Sequence, residues 1–268
     1  MAIVTISRAS GSGGEDIGRA VAEKLGYEYV GRQVILKEIE ERGEQWLKWG
    51  KEMDEHAPSL WERFDQSFAG FVTLEENSIY QHATKDNVVI MGRGGNWLLK
   101  DVPYALRIRI TAPIDKRIDN ICERESIDRE SAQKMIEEAD HERASYLKTV
   151  YHKDWTKPKY YDKVYDLGKM TFDEVVEQIV KEMPAMDSQG TPKAKEQLAQ
   201  MALAARIKSG IITDFKTSIP TLEVIHDGQK IILKGVVSDA KEQKTAQDIA
   251  TSLAAPTEVK SKLRFRGA

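Results

Sequence analysis

The chain has 268 residues, of which 41% are hydrophobic and 31% are charged, and its formal net charge is −3. This composition excludes a disordered chain and predicts one large domain or two unequal ones, while the small net charge gives no reason to expect nucleic-acid binding. The single cysteine, Cys122, excludes an internal disulfide and a cysteine-cluster zinc site. No apolar run approaches the roughly 18 residues of a membrane span, and no basic segment precedes the first apolar stretch, so we expect a cytoplasmic protein.

A glycine-rich turn near the start of the chain is the first candidate site. Residues 2–6 are apolar, as in a buried strand, and Ile17, Val21 and Leu25 recur at helical spacing. A strand, a glycine turn and a helix N-terminus together favour phosphate, because backbone N–H groups and the helix dipole both attract an anion. The turn consists of Ser10, Gly11, Ser12, Gly13 and Gly14.

The same turn departs from the phosphate-loop pattern G-x-x-x-x-G-K-[ST]. If Gly13 is the second glycine, Gly14 takes the lysine position and Glu15 takes the hydroxyl position, while Arg8 replaces the first glycine. A phosphate site and a plain glycine turn therefore both remain open here. Any catalytic cations must come from other parts of the chain.

Strands and helices alternate through the first 183 residues, which predicts βαβ units and a parallel sheet. Residues 37–85 are expected to be mostly helical, and their aromatic side chains at helical spacing indicate a core rather than a base-stacking surface. This aromatic set, with its apolar neighbours, is Trp46, Trp49, Met53, Leu60, Trp61, Phe64 and Phe68. Residues 88–91 are all apolar, as in a parallel strand buried on both faces. Further strands are predicted at 105–110 and 164–167, and helices at about 114–125, 129–148 and 172–183.

A boundary is predicted at residues 184–195. This stretch contains two prolines and a glycine, as in a linker. The segment before residue 184 has a net negative charge and the segment after it a net positive charge. We therefore expect domains at 1–183 and 196–268.

The second domain is predicted to be a small α+β unit. Strand patterns at 221–226 and 230–236 flank Asp227-Gly228, a dipeptide favoured in hairpin turns, and helical patterns precede and follow them. The closing stretch alternates like a strand, which places four cations on one face. Read from the pattern alone, these cations protect an edge strand from aggregation. They are Lys260, Lys262, Arg264 and Arg266.

Residues 1–183 resemble the cytidylate kinase-like family, a branch of the P-loop nucleoside monophosphate kinases. The resemblance implies a P-loop kinase-like α/β fold, a parallel sheet flanked by helices, with a helical region for the acceptor and a mobile lid. The motifs that carry it are Thr5-Ile6-Ser7-Arg8, Gly11-Ser12-Gly13-Gly14, Ala22-Glu23-Lys24-Leu25-Gly26-Tyr27, Gly92-Arg93-Gly94, Asp140-His141-Glu142-Arg143 and Lys153-Asp154-Trp155.

Residues 196–268 resemble a BON domain, a small αβ module. The resemblance rests on Asp227-Gly228 and on the stretch from Leu233 to Ser238, together with the following helix and last strand. Because such modules are associated with membrane surfaces, it implies an anionic surface or a protein as the partner of this domain.

The first resemblance implies ATP and Mg²⁺ as cofactors, nucleotides as partners, and a pyrimidine monophosphate such as CMP as the acceptor. It assigns Arg93 and Arg143 to catalysis, and it adds Arg8 and Arg32 to the glycine turn as nucleotide-binding residues. Glu15 departs from the family, and its carboxylate would either repel phosphate or hold Mg²⁺ through water. The alternative function is a catalytically weak nucleotide sensor that signals through the BON-like domain, which the altered loop favours. The sequence predicts neither metal ligands nor an oligomeric state.

Overall fold

The computed structural model describes residues 2–52 and 65–266. The predicted core positions Met53, Leu60, Trp61 and Phe64 lie outside these ranges. By contacts, the described chain divides into two compact units. The first contains residues 2–35 and 85–194, and the second contains 36–51, 65–84 and 195–266.

The first unit is built on a parallel five-stranded sheet of order β2-β3-β1-β4-β5. Strands β2 and β3 lie on one side of the central strand β1, and β4 and β5 lie on the other side. Where the direction of strand addition reverses in this way, open parallel sheets bind ligands outside the carboxyl ends of the strands. The strands are β1 (Ile3–Arg8), β2 (Glu28–Val30), β3 (Val88–Met91), β4 (Ala105–Thr111) and β5 (Lys163–Asp166).

One face of this sheet packs on helices α1 (Gly14–Leu25) and α8 (Phe172–Ser188). Val4 and Ile6 of β1 contribute to that core. Because side chains alternate along a strand, Ser7 points to the other face, where it is buried and polar. The remaining helices of the chain before α8 are α2 (Arg32–Glu40), α3 (Leu47–Glu52), α4 (Gln66–Thr84), α5 (Gly95–Leu98), α6 (Ile114–Glu125) and α7 (Arg129–Tyr151).

The second unit contains a separate three-stranded sheet of order β6-β7-β8. Strands β6 and β7 form the predicted antiparallel hairpin, and the Asp227 carboxylate accepts the backbone N–H groups of Gln229 and Lys230 in its turn. The C-terminal elements are α9 (Pro192–Ile212), β6 (Glu223–His226), β7 (Lys230–Val237), α10 (Ala240–Ala254) and β8 (Glu258–Phe265). The α/β class and the small second sheet are thus confirmed, whereas the BON resemblance stays a prediction.

The closing strand β8 pairs parallel with β7 at one edge of this sheet. Lys260, Lys262 and Arg264 are exposed, while Leu263 is buried in the core of the unit. The predicted alternation of cations with inward-facing residues therefore holds through the middle of the strand.

The predicted linker is largely helical. Helix α8 continues through Pro184 to Ser188, and α9 begins at Pro192. The reason is packing, because Met183 is buried and Met186 packs against the core of the first sheet, which outweighs the hydrogen bond that proline removes. Only residues 189–191 separate the two helices, and the domain limits 1–183 and 196–268 remain a prediction.

Limited proteolysis is expected to cut first at residues 189–191. Helix α4 contacts α9 within the second unit, since Gln81 donates to the Ala202 carbonyl at 3.5 Å and Lys208 pairs with Glu76 at 3.4 Å. The two fragments should therefore remain associated in size-exclusion chromatography and separate in denaturant. First cleavage inside α8 or α9 would contradict the assigned helix ends, and fragments that elute separately would contradict the α4–α9 contacts.

Within the described residues, no helix combines the length and the apolar character needed to cross a bilayer.

Candidate functional site

The glycine turn leads directly from β1 into α1. Gly11 and Gly13 have φ angles of 71° and 78°, in the left-handed region that favours glycine. The first helical hydrogen bond is donated by the Ile17 N–H to the Gly13 carbonyl. The N–H groups of Gly14, Glu15 and Asp16 therefore lie at the N-terminal end of α1, where an anion is stabilised.

Two glycines of the turn are required by close packing. A Cβ on Gly14 would lie 2.6 Å from the Arg8 Cβ and 3.0 Å from the Ile110 Cβ, because the start of α1 is pressed against β1 and β4. A Cβ on Gly11 would lie 2.7 Å from the Arg117 carbonyl oxygen. By contrast, a Cβ on Gly13 would meet only Leu167, at 3.6 Å, among the described residues. At this position it is the positive φ angle, and not a lack of space, that favours glycine.

Helices α6 and α7 hold the turn from the other side. The Asp140 carboxylate accepts the Ser10 N–H at 2.9 Å and pairs with Arg117 and Arg143. Arg117 also donates to the Ser10 carbonyl at 2.7 Å, and Asn120 donates to the Gly11 carbonyl at 2.8 Å. The loop is thus fixed by side chains whose donors satisfy its carbonyl groups.

A cleft of about 840 Å³ lies over the turn. Lys116 lines it and donates to the Leu167 carbonyl at 2.8 Å. Glu15 lines it as well and pairs with Arg19 at 3.0 Å, which offsets part of the negative charge at this helix end. The other lining residues include Arg8, Ser10, Gly11, Ser12, Gly13, Gly14, Asp16, Asn120, Arg143 and Phe172.

A second cleft, of about 480 Å³, lies at the carboxyl ends of β1 and β3. Arg32, at the start of α2, and Arg93, directly after β3, line this cleft. Arg8 and Arg143 line both clefts, so they stand at the junction. Helix α7 contributes one continuous face to the second cleft, consisting of Met135, Glu138, Ala139, Glu142, Arg143, Tyr146 and Leu147.

The segment that carries Arg93 has an unusual backbone. Gly92, Arg93 and Gly94 all have positive φ angles, of 71°, 55° and 75°. A non-glycine residue in this region costs of order 1–3 kcal/mol and is found where the surroundings hold it. Here the Tyr151 hydroxyl donates to the Arg93 carbonyl at 3.3 Å, and the Tyr151 ring lies against Gly94. These contacts hold Arg93 in the left-handed conformation at the edge of the second cleft.

Burial lowers the pKa of Arg143 to about 9, and the positive charges of Arg8, Arg93 and Arg109 act in the same direction. Asp140 opposes this shift. Arg143 stays protonated at neutral pH, and it donates to the Arg8 carbonyl at 3.0 Å. Clustered charges with perturbed pKa values mark candidate functional sites, and a cluster of cations favours an anion.

The predicted site residues all line the two clefts. The glycine turn lines the first, Arg32 and Arg93 line the second, and Arg8 and Arg143 line both. The structure thus brings the glycine turn and the predicted arginines together around two adjoining clefts.

A family model described as "Cytidylate kinase-like family" matches residues 3–169. The chain belongs to the cytidylate kinase-like family. The match covers all the lining residues of the two clefts except Phe172, and it ends before α8.

Curated relatives in this family come from archaea. The chain is 29% identical over 171 residues to a cytidylate kinase of Methanocaldococcus jannaschii, an alignment that covers 62% of this chain and 89% of the relative. It is 27% identical over 198 residues to a cytidylate kinase of Pyrococcus furiosus, over 72% of this chain and 96% of the relative.

Among solved structures, an uncharacterized protein from Eubacterium ventriosum superposes with a TM-score of 0.55 at 21% identity, over 69% of this chain and 98% of that chain. This likeness supports the fold alone.

Several residues of the kinase-like site were not predicted as site residues. Arg117 and Lys116 lie in the first turn of α6, where the helix dipole disfavours cations, so a basic pair at a helix start was a usable signal. Asp140 and Trp155 stood in motifs without an assigned role. Arg109 alternates with apolar residues in β4, and its burial was the unexpected feature, since an arginine in a strand is usually exposed.

Proposed function

We propose that the protein transfers the γ-phosphoryl group of ATP to a pyrimidine nucleoside monophosphate, with CMP as the acceptor. The observation that carries this proposal is the junction of the two clefts at Arg8 and Arg143. Phosphoryl transfer needs an in-line arrangement of donor and acceptor and positive charge on the transferred group. Two arginines between a donor cleft and an acceptor cleft supply that charge where the group passes.

The glycine turn fits the donor phosphates. Gly11 and Gly14 leave no room for side chains, and the turn leads into the N-terminal end of α1. The Ser12 hydroxyl is buried, and no partner for it exists among the described residues, which leaves it to a bound group. Arg8 supplies the cation that the missing loop lysine would provide in other P-loop proteins.

Mg²⁺ fits the donor cleft through Glu15 and Asp16, which line it beside the turn. The described residues hold no cluster of three metal-ligating side chains. Mg²⁺ bound to a nucleotide does not need such a cluster, because it keeps several waters and takes its other ligands from phosphates and one or two carboxylates. When bound, it would neutralise charge on the donor phosphates. Asp16 and Glu15 would hold its waters.

Arg93 and Arg32 are proposed to hold the acceptor phosphate in the second cleft, where Glu138 and Glu142 face them from α7. Asn96 lines the same cleft, and its buried side-chain amide nitrogen has no hydrogen-bond partner in the described part of the chain. CMP is chosen because the archaeal relatives are cytidylate kinases.

The second function considered, a nucleotide sensor with weak catalysis, rests on the altered phosphate loop. Membership in a kinase family and the shared arginines favour the enzyme. In either case the C-terminal region is proposed to be BON-like, with the exposed cations of β8 as its contact with an anionic surface or a protein.

A coupled ADP-release assay over CMP, UMP, AMP and GMP tests the function. We expect turnover that depends on Mg²⁺ and is fastest with CMP, at about 1–100 s⁻¹ as is typical of kinases. ATP without acceptor is the control for hydrolysis. If ATP binds and no monophosphate is phosphorylated, the sensor function replaces the kinase.

A further inference from the structure

Trp155 lies between the end of α7 and β5, and its side chain is buried at 3% exposure. Two guanidinium groups lie over its ring. The Arg109 carbon Cζ is 4.2 Å from the ring centroid, and the Arg143 Cζ is 5.2 Å from it. Both distances are within the range of a cation–π interaction.

The backbone of Trp155 is attached to the central sheet. Its carbonyl oxygen accepts a hydrogen bond from Arg109 at 3.1 Å and another from the Tyr161 hydroxyl at 2.7 Å. The same hydroxyl lies 3.3 Å from the Ser7 Oγ at the end of β1. The ring is therefore held in a fixed position relative to the sheet, on the face that carries Ser7 and Arg109.

The Trp155 ring stabilises a guanidinium group, that of Arg143, which neighbouring arginines repel. Arg143 lies near Arg8, Arg93 and Arg109, which repel it, and Asp140 is the carboxylate that pairs with it at 3.1 Å. An aromatic face attracts a cation without adding a negative charge that would also repel phosphate. A second carboxylate in the place of Trp155 would hold the guanidinium equally well, but it would weaken the attraction for a nucleotide.

We infer that Trp155 is a positioning residue for Arg143, whose guanidinium its ring holds at the junction of the two clefts. The inference rests on the proposed kinase function for its catalytic consequence. The arrangement itself does not depend on that function, so the two can be tested separately.

The catalytic test compares Trp155→Leu, Trp155→Phe and Trp49→Leu in the full chain. Trp49 is the matched control, because it is a buried tryptophan of the second unit with the Lys48 ammonium 5.2 Å from its ring. For Trp155→Leu we expect kcat to fall on the order of tenfold, with the KM values for ATP and CMP changed less than about twofold. Trp155→Phe keeps an aromatic face and should recover most of kcat. Trp49→Leu should keep the wild-type kcat when it is assayed below the unfolding temperature of that variant.

A second measurement works without turnover. Ring currents from Trp155 should shift the side-chain NMR signals of Arg109 and Arg143 upfield in the wild type, and Arg143→Lys identifies the Arg143 signal. We expect these shifts to disappear in Trp155→Leu and to persist in part in Trp155→Phe.

The inference is overturned if Trp155→Leu keeps its kcat, if only KM rises, if phenylalanine fails to rescue, or if Trp49→Leu loses as much. Unshifted guanidinium signals in the wild type would overturn it as well. If the wild type phosphorylates no monophosphate, the proposed function fails instead, and the NMR result alone decides the role of Trp155.

Discussion

Replacing Arg143 with alanine is expected to lower kcat by on the order of 10³-fold, because arginines that neutralise the transferred phosphoryl group contribute at least this much in other phosphoryl-transfer enzymes. Arg143 stands at the junction of the clefts and is held by Asp140 and by the Arg8 carbonyl. The loss should appear in kcat, with the KM for ATP little changed, since we propose that the glycine turn binds the donor. Steady-state kinetics with ATP and CMP measures both constants.

Arg129→Ala is the matched control for this variant. Arg129 lies on the same helix, is half-exposed and pairs with Asp115 at 3.1 Å and with Asp119. Exposed ion pairs contribute little, so kcat should change less than about twofold.

Arg93→Ala, in contrast, should raise the KM for CMP. If Arg143→Ala and Arg93→Ala both keep wild-type kinetics, the arginines do not carry the proposed chemistry.

Gly13→Val is expected to weaken ATP binding by at least about 100-fold while the fold survives. The φ angle of Gly13 is 78°, which a β-branched residue adopts only at a cost of about 1–3 kcal/mol, so the turn should change its conformation. The space around this position is open, with Leu167 as the nearest described neighbour at 3.6 Å, which is why the rest of the protein should tolerate the side chain. Isothermal titration calorimetry with ATP measures the affinity.

Gly26→Val provides a control with the same kind of backbone strain. Gly26 ends α1 and has a φ angle of 66°, and a Cβ at this position would meet no atom of the described residues within 4 Å. The variant should lose comparable thermal stability but keep its ATP affinity. An unchanged affinity in a folded Gly13→Val protein would show that nucleotide binds elsewhere.

The sequence predicted most of the first sheet because its strands are short apolar runs next to glycine turns. Strand β3 was predicted at Val88–Met91 and lies there, and α6 was predicted at about 114–125 and spans Ile114–Glu125. The limit of α8 could not be predicted from local signals. Pro184 indicates a break, and only the packing of Met186 on the distant core shows that the helix continues.

The candidate site was predictable where a residue ends a strand, as Arg8 does, or stands in a glycine-rich segment after one, as Arg93 does. The site residues could not be predicted where their position depends on a contact with a segment that is distant in the sequence. Asp140 contacts the Ser10 N–H across 130 residues, and Trp155 contacts an arginine of β4 across 46. Neither contact is visible in a local pattern, because each joins residues that lie far apart in the sequence.

The crowding of arginine side chains around the junction also bears on how the protein behaves before any reaction. The positive charges of Arg8, Arg93 and Arg109 all disfavour the charged form of Arg143. An anion that binds there contributes to folding as well as to chemistry, and a ligand at 100 times its dissociation constant adds about 2.7 kcal/mol to the free energy of unfolding. If a nucleotide binds at this junction as proposed, the protein should therefore be more stable to unfolding with the nucleotide bound than without it.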